Sequence, residues 1–138
     1  MLHGVIEWMD NPLQAIEDVQ GLLDKDGLLS LLFFNRDKLI LKWGINSQTA
    51  KALSGKVVRS RPLTPKNPLS TAEVLPILEK HNLELISKSG IRIFYGFFSS
   101  LTRELTEDQI KLELQHMYQE PFASLGEHTH LIVKKKTA

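Results

Sequence analysis

The stretch LLSLLFFN, residues 28–35, decides the fold class of this chain. It is apolar on both alternations except at Ser30, a pattern that is typical of a strand covered on both faces. Strands of this kind occur in parallel sheets that are flanked by helices. The fold class predicted from this stretch is therefore α/β.

A helix is predicted immediately before this strand. Asp10 or Asn11 can cap free backbone N–H groups, and Pro12 suits the first helical position. The apolar residues that follow repeat at helical spacing and form one stripe, namely Leu13, Ile16, Val19, Leu22 and Leu23. The helix is predicted to end at DKDG, residues 24–27, where Gly27 can adopt a positive φ. Strand end, helix and buried strand together form half of a doubly wound unit.

In doubly wound sheets, ligands bind at the carboxyl ends of the strands, which here means near His3 and Asn35. For His3, the alternative to a ligand contact is a hydrogen bond to a nearby carbonyl. For Asn35, a hydrogen bond that closes the loop after the strand is an equally good explanation. Glu7 and Trp8 are interpreted as a helix cap and a packing residue.

The rest of the chain contains further elements of both kinds. The predicted elements are a weakly helical stretch over 38–52, an extended loop over 54–70, a helix from a Ser70 and Glu73 capping box to about His81, strand residues over 83–95 with a bulge or break at SKSG, a helix over 106–117, and a last strand from His128. Pro76 lies within the helix predicted from Ser70 to about His81 and is expected to kink it or to delay its start.

Composition excludes several classes of function. The 138 residues, 42% of them hydrophobic, form one domain or part of one, and a net charge of +1 predicts no partner. The absence of cysteine excludes disulfides and thiol catalysis, and the histidines lack the carboxylate cluster of a metal site. The longest apolar run is far shorter than the roughly 20 residues of a membrane span. The sequence predicts a soluble, cytoplasmic protein without a metal.

One stretch of the chain has a marked charge asymmetry. Between residues 38 and 72 there is no acidic residue but there are seven basic ones, namely Lys38, Lys42, Lys51, Lys56, Arg59, Arg61 and Lys66. Such residues neutralise phosphates on a nucleic-acid surface. The alternative is a solvated loop whose lysines keep the protein soluble.

Five segments carry a family resemblance: HGVIEWMDNP, GLLSLLFFN, RPLTPKNPLS, SGIRIF and EPFASLG. With the order of the elements, they resemble the second half of the class I S-adenosylmethionine-dependent methyltransferases, and within that family the bacterial enzymes that modify tRNA. The resemblance implies a Rossmann-like sheet of parallel strands with an antiparallel final strand between its neighbours and helices on both faces. Residues 1–138 would be the C-terminal part of a single domain. The glycine-rich loop and the acidic residue that hold the cofactor would lie upstream of Met1, and the chain contains no GxGxG motif.

The resemblance also implies a function. S-adenosylmethionine would be the methyl donor, tRNA the partner, and the carboxylate of a modified wobble uridine the acceptor. His3 would contact the donor, Asn35 the acceptor, and Lys56, Arg59 and Arg61 the tRNA. An ionised carboxylate needs no general base, so the lack of an obvious catalytic dyad agrees with this chemistry. The chain alone is expected to be inactive, because half of the cofactor pocket would be missing.

Two alternatives remain open at this point. One is a class I methyltransferase that acts on a small molecule, and the other is a non-catalytic interaction module. If the first three strands are absent, an apolar sheet edge and face are left uncovered, and self-association of the fragment through that edge is expected.

Overall fold

The computed structural model describes residues 1–57, 64–97 and 104–137. Its strands and helices, in chain order, are β1 (Leu2–His3), α1 (Pro12–Gln20), β2 (Leu28–Phe34), α2 (Arg36–Ile45), α3 (Thr49–Ser54), α4 (Thr71–Lys80), β3 (Leu83–Ile91), α5 (Glu107–His116) and β4 (His128–Lys135). Single turns of 3-10 helix lie at Ile6–Trp8, Tyr95–Phe97 and Phe122–Ser124.

The four strands form one mixed sheet in the order β1-β2-β4-β3. β1 pairs with β2 in parallel, whereas β4 runs antiparallel to both β2 and β3. The final strand of the chain is therefore inserted antiparallel between two strands that run parallel to each other. This confirms the predicted α/β class and the predicted antiparallel final strand.

One face of the sheet forms the core. Leu29, Leu31 and Phe33 of β2 are completely buried, as are Leu131 and Val133 of β4. They pack in one cluster with apolar residues of the two helices on this face, namely Ile16 of α1 and Val74 and Leu78 of α4. Each of these large side chains stabilises the fold by roughly 1.5–3 kcal/mol relative to an exposed position.

The opposite face of the sheet is covered less completely. Ser30, Leu32 and Phe34 are half-buried, and Leu28 is 62% exposed. The prediction that helices cover both faces of β2 is fully met on the core face. On the opposite face, the described residues cover β2 only in part. β1 is an edge strand that pairs with β2 at two positions only, opposite Leu31 and Leu32. Self-association through this edge stays a prediction.

The start of α1 follows the sequence prediction. Asn11 is the N-cap, and its Oδ1 accepts a hydrogen bond from the backbone N–H of Gln14 at 3.3 Å. Pro12 is the first residue of the helix. Its missing N–H would have had no partner within the helix, so proline costs nothing there.

The end of α1 differs from the prediction. The helix stops at Gln20, before DKDG, and Leu22 is 84% exposed instead of lying on the buried stripe. The positive φ of 63° belongs to Asp26 and not to Gly27. Gly27 is required for a different reason, because a Cβ there would lie 2.8 Å from the carbonyl oxygen of Asp24.

The later elements agree with the sequence prediction except in detail. Ser70 and Glu73 form the predicted capping box, and α4 continues through Pro76 without a delayed start. β3 contains a register shift between Leu85 and Ser87, just ahead of the predicted position. The strand ends at Ile91, so residues 93–95 lie beyond it.

Candidate functional site

The carboxyl ends of the parallel strands meet at one edge of the sheet. The last residue of β2, Phe34, and the last residue of β3, Ile91, are both paired with His128, where β4 begins. We call this end, where β1, β2 and β3 finish and β4 starts, the carboxyl edge. In open α/β sheets this is the end at which ligands bind.

Asn35 follows β2 at the carboxyl edge and is buried. Its Nδ2 donates to the carbonyl oxygens of Ser124 and Gly126, both at 2.9 Å. Its Oδ1 caps α2 by accepting a hydrogen bond from the backbone N–H of Asp37 at 3.0 Å. The loop-closing hydrogen bond considered for this residue is therefore present, and a contact between Asn35 and a methyl acceptor stays a prediction.

Lys38, one turn into α2, is also buried. Its Nζ donates to the carbonyl oxygens of Ile93 and Leu125, the latter at 2.9 Å, and lies 4.3 Å from the centre of the Phe97 ring. Burial lowers the pKa of the Lys38 ammonium, and the charge of Glu113 offsets part of this effect. Lys38 thus connects three segments at the carboxyl edge and does not belong to the exposed basic surface that the sequence suggested.

A small pocket lies beside Lys38, which we call the edge pocket. Its volume is about 80 Å³, and five of its eight lining residues carry polar or charged side chains. The lining residues come from β2, α2 and the loop after β3, with one residue before β4: Phe34, Asn35, Lys38, Leu39, Lys42, Arg92, Gly96 and Glu127. Three of them are cations and one is a carboxylate, so the pocket is suited to an anionic group.

Two cations of the edge pocket, Arg92 and Lys42, lack a close ion pair among the described residues. Nη1 of Arg92 is 3.8 Å from Oε2 of Glu127, beyond hydrogen-bond distance, and the guanidinium carbon lies 4.9 Å from the centre of the Tyr95 ring. Lys42 forms no ion pair within residues 1–57, 64–97 and 104–137. Both side chains therefore retain hydrogen-bond donors for a further partner.

The loop that carries Arg92 is held by one carboxylate. The carboxylate of Glu113 in α5 accepts hydrogen bonds from the backbone N–H groups of Ile93 at 2.7 Å, Phe94 at 2.8 Å and Tyr95 at 3.0 Å. Arg92 itself has a φ of 60°, which turns the chain sharply at the end of β3. The backbone of the edge pocket is thus fixed from α5 as well as from Lys38.

His3 lies on the half-buried face of the sheet and is exposed. Its Nε2 is 2.7 Å from Oγ of Ser30, and the same Oγ is 2.8 Å from Nε2 of His130. Because a serine hydroxyl has one proton, Ser30 donates to one imidazole and accepts from the other. Burial lowers the pKa of His130, and the neighbouring His3 lowers it further. His3 therefore bonds a hydroxyl and not the carbonyl considered above, and its contact with a methyl donor stays a prediction.

The interpretation of Glu7 as a helix cap is wrong, because Asn11 caps α1. Glu7 is buried in a 3-10 turn after β1, and its Oε2 has no hydrogen-bond partner among the described residues. Burial raises the pKa of this carboxyl group. Trp8 is 38% exposed, so it is only partly a packing residue.

The structure separates the basic residues of the 38–72 stretch. Lys56 is exposed just after α3, whereas Lys66 forms an ion pair with Asp10 at 3.1 Å. Arg59 and Arg61 lie outside the described residues. The proposed tRNA contacts of Lys56, Arg59 and Arg61 therefore remain predictions.

Sequence reasoning missed the grouping of Lys42 and Arg92 at the edge pocket. Lys42 appeared only as one of several basic residues, and Arg92 fell within the strand residues predicted over 83–95. The available signal was position, since Arg92 directly follows β3 at the end of the sheet where ligands bind. The distance of 50 residues along the chain between the two cations hid their proximity.

Two other kinds of site are absent from the part of the chain that the structure describes. It contains no group of three or more His, Asp or Glu side chains arranged to hold a metal ion. None of its helices is long and apolar enough to cross a membrane.

No protein-family model matches the chain. Among curated proteins, the tRNA 5-carboxymethoxyuridine methyltransferase of Escherichia coli strain K12 is 27% identical, and the protein of that name from Escherichia coli O157:H7 is 26% identical. Each match covers 98% of this chain and 53% of the relative. The chain thus spans about half the length of the curated relatives it matches. These matches confirm the resemblance to methyltransferases that the sequence indicated.

Proposed function

We propose that the protein to which these residues belong transfers a methyl group from S-adenosylmethionine to the carboxylate of 5-carboxymethoxyuridine at the wobble position of tRNA. The observation that carries the proposal is the similarity to tRNA 5-carboxymethoxyuridine methyltransferases along 98% of the chain. The order of the strands, with an antiparallel last strand between β2 and β3, agrees with it.

The end of β1 fits one side of a donor site. Gly4 has a φ of 63°, and among the described residues a Cβ there would meet only Oε1 of Glu7, at 3.9 Å, so these residues leave the space above the strand end open. The neighbouring His3 is exposed and is oriented by Ser30. S-adenosylmethionine, when bound, supplies an electrophilic methyl group. In this proposal His3 contacts the donor, and Asn35 fixes the loop and helix start at the neighbouring strand end.

The proposed methyl acceptor does not require the protein to remove a proton from it. A carboxylate is ionised at neutral pH and is already a nucleophile, so no general base is needed. The site must align the carboxylate with the methyl group and exclude water from it. The hydrogen bonds by which Asn35 and Lys38 tie the carboxyl edge to neighbouring segments support the first requirement.

The experiment that tests this function is methyl transfer by the complete protein. The protein is incubated with isotopically labelled S-adenosylmethionine and tRNA that carries 5-carboxymethoxyuridine, and the nucleosides are analysed by mass spectrometry. We expect the labelled methyl ester of that nucleoside. Residues 1–138 alone are expected to be inactive and not to bind the donor in calorimetry. Absence of the ester with the complete protein would contradict the proposal.

The salt dependence of binding separates tRNA from a small-molecule substrate. Three phosphate contacts, one each from Lys56, Arg59 and Arg61, predict an affinity loss of about 40-fold between 50 and 200 mM salt. Replacing the three residues by glutamine should flatten this dependence. No measurable tRNA binding at low salt would favour a small-molecule methyltransferase.

A further inference from the structure

We propose that the edge pocket binds the carboxylate of the methyl acceptor, with Lys42 and Arg92 as its hydrogen-bond donors. This inference rests on the proposed function, because it assumes an acceptor that bears a carboxylate. It adds the residues that would distinguish this acceptor from a neutral one.

The size of the pocket favours an end group over a whole nucleoside. Its volume of about 80 Å³ is well below the roughly 300–1,000 Å³ of pockets that enclose a drug-sized ligand. A carboxymethyl group is small enough to enter it, whereas a nucleobase is not. The base would therefore remain outside, above the carboxyl edge.

The charges in the pocket favour an anion. Lys38 points its ammonium at two backbone carbonyls, so it contributes positive charge but has few donors left. Glu127 is the one carboxylate in the lining, and Arg92 lies 3.8 Å from it. Lys42 has no anionic partner in the described part of the chain. A bound carboxylate would give Lys42 and Arg92 the charge-assisted hydrogen bonds that they lack.

The shape of the pocket depends on Gly96. A Cβ on this residue would lie 3.8 Å from Nζ of Lys42, and a longer side chain would extend into the space beside that ammonium. Gly96 does not require a positive φ, so substitution there is not strained by the backbone. Gly96→Leu therefore offers a way to fill the pocket without removing a charge.

The test compares the affinity of the complete protein for two tRNAs that differ at one nucleoside. One carries 5-carboxymethoxyuridine and the other 5-methoxyuridine, which lacks the carboxylate. We expect the wild type to prefer the first. Lys42→Gln and Arg92→Gln should each reduce this preference about tenfold, which is the effect of one charge-assisted hydrogen bond. Gly96→Leu, which fills the pocket, should reduce it as well.

Lys51→Gln is the matched control, because Lys51 is an exposed lysine of the same basic stretch on α3. This variant should weaken the binding of both tRNAs equally and leave the preference for 5-carboxymethoxyuridine unchanged. If Lys42→Gln also weakens both tRNAs equally, Lys42 contacts a phosphate, and the proposal is overturned. A wild type that binds the two tRNAs equally overturns it as well, even if methyl transfer is observed. Failure of methyl transfer with an intact binding preference would instead remove the proposed function and leave the anion pocket standing.

Discussion

The two ends of the sheet both carry lysines next to carboxylates, but in opposite environments. At the carboxyl edge, Lys38 is 4% exposed and donates to the carbonyls of two other segments. At the opposite end, which we call the amino edge, the side chains of Lys134 and Asp26 are 41% and 55% exposed and form an ion pair of 3.3 Å. Surface pairs of this type stabilise a protein by about 0–1 kcal/mol.

The comparison shows that burial, and not the number of charges, distinguishes a structured polar site from a solvated one. The amino edge also groups lysines with acidic residues, and it is lined by Asp26, Glu84, Lys134, Lys135, Lys136 and Thr137. Its groups are accessible to water and counter-ions. At the carboxyl edge, the buried amide of Asn35 and the buried ammonium of Lys38 are satisfied by backbone carbonyls, so their removal leaves unpaired groups behind.

The largest expected effect is that of Asn35→Ala. The substitution removes the cap of α2 and leaves the part-buried carbonyl of Ser124 and the buried carbonyl of Gly126 without their donor. We expect the free energy of unfolding, measured by urea denaturation, to fall by about 3 kcal/mol. Asn46→Ala, at the exposed other end of α2, is the control and should cost little. Equal losses in the two variants would contradict the structural role of Asn35.

Lys38→Met should have the next largest effect. The methionine keeps the unbranched apolar stem, one atom shorter than lysine, but leaves the carbonyls of Ile93 and Leu125 without a donor, at a cost of about 2 kcal/mol. Part of that cost is offset because no ammonium has to be desolvated. Lys135→Met at the amino edge, where Nζ donates to the carbonyl of Leu23 alone among the described residues, should cost less than half as much. A larger loss of unfolding free energy in Lys135→Met than in Lys38→Met would contradict the difference between the two edges.

The pH dependence of the free energy of unfolding should depend on His128, which lies at the carboxyl edge. Burial lowers the pKa of His128, while Glu127 raises it and Arg92 lowers it to a smaller extent. The unfolded chain then binds a proton more readily than the folded chain. Stability should therefore fall as the pH drops below about 6.5, the ordinary histidine pKa. His128→Gln should reduce this fall in urea titrations at pH 7.5 and pH 5.5, and an unchanged slope would contradict the burial of His128.

The smallest effect is expected for Lys134→Gln at the amino edge. The ion pair with Asp26 is exposed, so the free energy of unfolding should change by less than about 0.5 kcal/mol. The same measurement in high salt should remove even this difference. A loss above 1 kcal/mol would show that the amino edge is more structured than its exposure indicates.

Local patterns in the sequence predicted the elements but not the long-range polar contacts. The capping box at Ser70 and the buried strand at 28–34 follow from spacing alone, and both are present. Lys38 appeared as part of a basic surface, because the carbonyls that bury it are 55 and 87 residues away along the chain. The positive φ expected at Gly27 occurs at Asp26, and glycine is required at position 27 by its close approach to Asp24 instead.

The antiparallel last strand was a different kind of prediction. Nothing in the alternation of HTHLIV indicates the direction of the strand or its insertion between β2 and β3. The family resemblance supplied both. Strand order depends on contacts between distant segments, and single-sequence periodicity does not encode them.

Hydrogen–deuterium exchange of the complete protein, with and without tRNA that carries 5-carboxymethoxyuridine, tests most directly whether the carboxyl edge is the reaction site. We expect this tRNA to slow exchange in residues 35–42 and 91–97, and tRNA with 5-methoxyuridine to do so to a smaller extent. Exchange at residues 23–27 and 134–136, on the amino edge, should stay unchanged. Protection confined to the amino edge would contradict a reaction site at the carboxyl edge.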